Sequence, residues 1–129
     1  MHRRLVLSAL LLGVLAGPGR AQPEGFTGVD WVLAGASGKR APYLRFEAGR
    51  VAGLGGCNRF KGSYKLSGAK LSFSPLAATQ MACLDGFEQE QAFFAMLAKV
   101  RAMSLKDGRL KLLDAGGAVL ASFTPRAAP

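Results

Sequence analysis

The chain has 129 residues, two cysteines, one histidine and a formal charge of +9 at pH 7. Its length suits a single domain with a modest core, and its charge suits anionic surroundings or simple solubility. The histidine is His2, at the extreme N-terminus, so Ser-His-Asp and Cys-His catalysis have no base in the rest of the chain.

The first residues follow the order of a secretory signal. Arg3 and Arg4 precede an apolar run from Leu5 to Gly17, interrupted only by Ser8. Pro18-Gly19-Arg20-Ala21 then ends the helix and places Gly19 and Ala21 at the −3 and −1 positions of a cleavage site. The run falls short of the roughly 20 apolar residues of a membrane span. Residues 1–21 are therefore expected to be removed, leaving 22–129 as one exported, soluble domain with its core over about 27–124; an uncleaved anchor is the alternative. Export also frames Cys57 and Cys83. An even cysteine count in an oxidising compartment reads as a disulfide, with two free thiols, one of them reactive, as the competing reading.

Short strands between glycine-bearing turns follow. Asp30 to Leu33 is the first. Tyr43 to Glu47 alternates and turns at Ala48-Gly49 into Arg50 to Leu54, and Phe60 to Leu66 turns at Ser67-Gly68 into Lys70 to Phe73. A period of two puts apolar side chains on one face and Arg, Lys or Ser on the other. The period then changes. Asp85 reads as an N-cap with Glu88 completing a capping box, and the helix should run from about Gly86 to Val100. Phe87, Phe93, Phe94, Leu97 and Val100 share an apolar arc with Met96 at its edge, and Glu90 is a flaw within it. Strands resume at Met103 to Leu105 and Arg109 to Leu112 across Asp107-Gly108, a type I′ signal. Ala115-Gly116-Gly117 turns into Val119 to Phe123, and Thr124 to Pro129 reads as a frayed tail. The expectation is an α+β domain: a mainly antiparallel sheet of about 7–8 strands, curled into a barrel around one amphipathic helix.

Two stretches stand apart: Gly53 to Tyr64, with Gly56-Cys57-Asn58-Arg59-Phe60-Lys61-Gly62-Ser63-Tyr64 at its heart, and Leu76 to Cys83, ending in Thr79-Gln80-Met81-Ala82-Cys83. As a pair, followed by an amphipathic helix, they resemble the signatures of the META/HslJ-like family over essentially the whole domain. The resemblance implies an envelope or secreted domain linked to heat shock and antibiotic tolerance, with no established molecular activity. It makes Gly56, Asn58, Phe60, Gly62, Tyr64, Thr79, Met81 and Ala82 the residues to watch, as structural or binding positions. Two departures matter. No cysteine follows the signal for lipid attachment, and Gln80 stands where a basic residue is common.

No catalytic, cofactor-binding or metal-binding residue is assigned. Two thiols without histidine make a poor zinc site. Gly53-Leu54-Gly55-Gly56 lacks both the ending and the following helix of a phosphate loop. Asp107 and Asp114 sit at turns and Asp85 and Glu88 at the helix cap; tertiary contacts could bring two others together, Asp30 and Glu47 for example, which spacing does not show. The basic residues are spread singly (Arg40, Arg45, Arg50, Arg59, Lys61, Lys65, Lys70, Lys99) without interleaved stacking aromatics. Nucleic acid is therefore an unfavoured partner, and weak association with anionic surfaces is the most this pattern implies. The expected function is a non-catalytic, monomeric envelope domain binding an unidentified protein or ligand. A protease-inhibitor-like domain presenting the Ser74 to Met81 loop is the alternative.

Intact-mass measurement of protein from the native envelope should place the mature N-terminus at Gln22, free or cyclised to pyroglutamate. A mass retaining residues 1–21, together with membrane fractionation, would overturn the soluble reading.

Overall fold

The computed structural model describes residues 22–126, so the expected signal segment, residues 1–21, lies outside the described residues, as do residues 127–129 of the expected tail. The elements in chain order are β1 (Asp30–Leu33), β2 (Tyr43–Glu47), β3 (Arg50–Leu54), β4 (Arg59–Ser67), β5 (Lys70–Phe73), β6 (Ala77–Ala78), α1 (Phe87–Lys99), β7 (Ala102–Lys106), β8 (Arg109–Leu113) and β9 (Val119–Pro125). Eight of the strands close into an antiparallel ring, β1-β2-β3-β4-β5-β7-β8-β9 and back to β1. The ninth, β6, lies outside the ring on β4, with Phe60 opposite Ala78 and Lys61 opposite Ala77. The thinnest joint is β5–β7. There Lys70 faces Ala102, flanked by hydrogen bonds from Leu71 N to Arg101 O at 3.1 Å and from Met103 N to Ala69 O at 2.9 Å.

Local chemistry sets the tight turns. Asp107 (φ 53°) and Gly108 (φ 72°) both adopt positive φ, as the two-residue type I′ connection requires. At the β8–β9 corner, Asp114 Oδ1 accepts the N–H groups of Gly116 and Ala118 at 3.0 and 2.9 Å, an Asx-type turn.

Alternation then fills the barrel. Leu44, Phe46, Val51, Phe60, Tyr64, Leu71, Met103, Leu110, Leu112 and Phe123 point inward and are buried. The aromatic rings form two groups. Phe60, Phe93, Phe94 and Phe123 meet beneath the helix. Phe46 lies within 6.1 Å of Phe26, Tyr64 and Phe73 near the opposite mouth, and stacks on Phe26 at 4.3 Å. Phe26 is fully buried, and its carbonyl accepts the Trp31 indole N–H at 3.0 Å. The packed core thus begins ahead of residue 27. A lone phenylalanine in Pro23-Glu24-Gly25-Phe26-Thr27-Gly28 has no period to betray its burial.

Three further expectations are corrected. The sheet does not wrap around the helix. Phe93, Leu97 and Val100 face the core while Gln91, Ala92, Ala95, Ala98 and Lys99 are exposed, so α1 lies across one mouth of the barrel. Asp85 is not the N-cap. That position is Gly86 at φ 92°, with no side-chain cap, and Phe87 is half exposed rather than core. The tail is not frayed through Pro125, because Trp31 faces Pro125 and Val32 faces Thr124 where β9 closes the ring. Arg126 extends this closure, with its N–H on Asp30 O at 2.9 Å and its guanidinium over the Tyr43 ring.

Phe26→Ala and Phe93→Ala should each lower unfolding free energy by about 3–5 kcal/mol in urea titrations, as truncated buried aromatics do. Lys99→Ala should stay within about 0.5 kcal/mol. A parent-like Phe93→Ala would mean that α1 does not close the barrel mouth.

Candidate functional site

Of the singled-out residues, Gly56, Asn58, Thr79 and Met81 converge at the mouth covered by α1, whereas Tyr64 packs on Phe26 and Phe46 toward the other. Cys57, in the loop between β3 and β4, is bonded to Cys83, in the segment leading into α1, with Cα atoms 6.0 Å apart. Closing a loop of about 27 residues stabilises the fold by roughly 3–4 kcal/mol. Neither cysteine is free, so the reactive-thiol alternative has no thiol in this state.

Next to the bridge, Asn58 is buried and uses its full amide capacity. Its Oδ1 accepts from the Thr79 hydroxyl at 2.8 Å and the Met81 N–H at 2.6 Å. Its Nδ2 donates to the Glu90 carboxylate at 2.8 Å and to the Met81 carbonyl at 3.4 Å. Asn58 adopts no left-handed conformation; only Asp107 does so among the described non-glycine residues. Its side chain serves long-range bonds rather than a local Asx-turn. Thr79 strengthens the same seam, since its N–H donates to Arg59 O at 3.0 Å and its Oγ1 accepts the Arg59 N–H at 3.2 Å.

Glu90, the apparent flaw in the helix stripe, completes the arrangement. Its Oε1 accepts the backbone N–H groups of Cys57 and Asn58, and the side chain is almost wholly buried. Burial pushes its carboxyl up. The Asn58 side chain, the two backbone donors and the Arg40 charge outweigh this, and hold it below its usual 4.5. Arg40 reaches in from the β1–β2 loop, with Nη2 at 3.3 Å from Cys57 O and 3.2 Å from Cys83 Sγ. Neither Arg40 nor Glu90 belongs to the motif stretches. The one legible signal was a carboxylate on an apolar arc, a position that demands partners.

Glycine makes the close approach possible. Gly86 and Gly56 both have positive φ, and a Cβ on Gly86 would stand 2.7 Å from Gly56 O. Gly62 lets the chain pass over β4, where a Cβ would stand 2.6 Å from the Leu76 side chain. Phe60 and Tyr64 are core residues, and the Tyr64 hydroxyl donates to Glu47 O at 2.8 Å. Ala82 and the side chain of Met81 are exposed beside the bridge.

The outer surface of this junction is apolar. Met81 and Phe87 are half exposed and Leu84 is fully exposed. Elsewhere, Asp30 and Glu47 are held apart by Arg45, which bonds to them at 3.0 and 2.8 Å. This is an ion-pair relay rather than an acid/base dyad. Among the described residues no group of three or more His, Cys, Asp or Glu side chains is placed to hold a metal ion. No helix among them is long and apolar enough to cross a membrane.

The architecture is a closed eight-stranded antiparallel barrel with one helix across its mouth, stapled by a disulfide. Residues 24–127 match the META domain model, and the chain belongs to the META domain family. Two structures solved by NMR share the fold. A protein from Burkholderia xenovorans is 22% identical with a TM-score of 0.64, over 95% of this chain and 100% of the other. A second protein is 26% identical with a TM-score of 0.63, over 81% and 94%. Comparison with curated proteins finds no match.

Because folding lowers the Glu90 pKa, its stabilisation is complete above the ordinary carboxyl range and is lost as pH falls through the depressed folded value. Glu90→Gln should therefore cost about 1.5–3 kcal/mol at neutral pH, as loss of charge-assisted bonds does. Thermal melts across pH should show the gap to the parent closing in acid. A gap independent of pH would mean that the carboxylate charge does not hold the loop.

Proposed function

We propose that this chain is an exported, non-catalytic envelope domain that binds a partner through the face around the Cys57–Cys83 bridge, in the service of stress or antibiotic tolerance. One observation carries the reading. Met81, Leu84 and Phe87 are held outward by a segment that the bridge, Asn58 and Glu90 pin in place. Large apolar side chains kept in water by a rigid frame mark a surface meant to be covered. The export part rests on the signal-like residues 1–21. The tolerance part rests on the family resemblance, and the META domain is not a known enzyme family.

A second reading is a protease inhibitor. It draws on the segment Ala77 to Gln80, which is exposed and extended and is held by β4 and Asn58.

A strain lacking the protein should lose survival under heat or antibiotic challenge. The parent should restore it, and a Leu84→Asp/Phe87→Ser variant of parental stability should not. Equal rescue by both would remove the face from the function. Inhibition in a protease panel at micromolar protein, abolished by Ala78→Arg, would favour the second reading.

A further inference from the structure

Three of the four large apolar side chains exposed among the described residues gather between residues 81 and 87. Met81 and Phe87 line one hollow with Ala78 and Thr79. Ala78 and Thr79 also line the adjoining trough on the outer face of β3, β4 and β6, whose cations are Arg59 and Lys61. Neither cation takes part in an ion pair; those among the described residues use Arg45 and Arg126. Arg40 stands on the other flank, against Cys83. The face therefore has an apolar tip at Leu84 with basic side chains on two sides.

Size discriminates between occupants. A stable protein interface buries about 800 Å² per partner, far more than the side chains of Met81, Leu84 and Phe87 supply. The boundary between lipid headgroups and acyl chains accepts a few apolar side chains at a time, and anionic lipid adds attraction for each nearby Lys or Arg. Asp85 and Glu88 adjoin Leu84 and Phe87 in the chain. The attraction is consequently partial, and insertion of the apolar tip has to supply the rest.

We propose that this face docks the domain peripherally on anionic phospholipid bilayers, with Leu84 and Phe87 in the interfacial layer and Arg40, Arg59 and Lys61 against lipid phosphates. The inference rests on the binding-face reading above and names its partner. The bridge and the Asn58–Glu90 bonds hold the tip in its inserting shape, so docking requires no folding of the loop at the surface.

Vesicles of phosphatidylglycerol mixed with phosphatidylcholine, and of phosphatidylcholine alone, provide the probe. The purified protein, its N-terminus established by mass, should float with the anionic vesicles and bind several-fold less as salt rises from about 50 to 500 mM. Leu84→Asp/Phe87→Ser, with the parental melting temperature, should reduce partition about tenfold. Leu84→Trp supplies a local reporter at the tip, because the native Trp31 is buried in the core. Its emission should shift to the blue on anionic vesicles, which binding through any other segment would not cause. An unshifted Leu84→Trp spectrum on vesicles that carry the protein would overturn the proposal, as would equal flotation of parent and double variant. Capture of an envelope protein by the tip without vesicle binding would also overturn it, while leaving the binding-face reading intact.

Discussion

The buried carboxylate of Glu90 constrains everything around it. A charge removed from water is tolerated only when donors replace the water. Here the donors are the two N–H groups opening the Cys57-Asn58 loop and the Asn58 amide. Those donors come from the β3–β4 loop and the acceptor from the helix. Satisfying Glu90 therefore orients α1 relative to the barrel, as apolar packing by itself would not. Apolar contacts of Phe93 and Leu97 are non-directional, whereas hydrogen bonds to a single carboxylate fix both distance and angle.

Asn58 transmits this constraint to the third partner, the segment at Thr79 and Met81. The disulfide then works on geometry already specified by hydrogen bonds. The same frame accounts for the exposed apolar residues. With both backbone groups of Met81 committed to Asn58, Cys83 tied to Cys57 and Gly86 against Gly56, the chain from Met81 to Phe87 is pinned at three points and cannot turn its side chains under the helix. Leu84 and Phe87 stay outside because the loop is too tightly held to hide them.

Much of this was legible in the chain. The strands from Asp30 to Phe73 and the helix bounds followed from a period of two giving way to a helical one, and Asp107-Gly108 announced its turn. A closed ring followed less directly, since the β1–β9 pairing joins residues far apart in sequence. What escaped reading were residues whose role is tertiary. Asp85 and Glu88 make a good local cap, yet Gly86 replaces it because the left-handed turn brings the helix against Gly56. Phe87 satisfied the helical period and still lies outside, as the barrel mouth accommodates Phe93, Leu97 and Val100 but not the first turn. Phe26 escaped because single buried anchors carry no pattern. Glu90 was noticed only as an imperfection. Of the motif residues, Asn58 and Thr79 proved to be stitching, Phe60 and Tyr64 core, and Gly56 and Gly62 points of backbone passage.

The pairing of β1 with β9 has a consequence for how such a chain is made. The ring cannot close until Val119 to Pro125 have been synthesised and reach Trp31 to Leu33. Before that, β1 and β8 each present an unpaired edge, a template for another chain's strand. The two edges of the ring are therefore covered only when its last strand arrives. Loss of a few C-terminal residues would return it to that open, self-associating form, although among the described residues no buried side chain lies beyond Phe123.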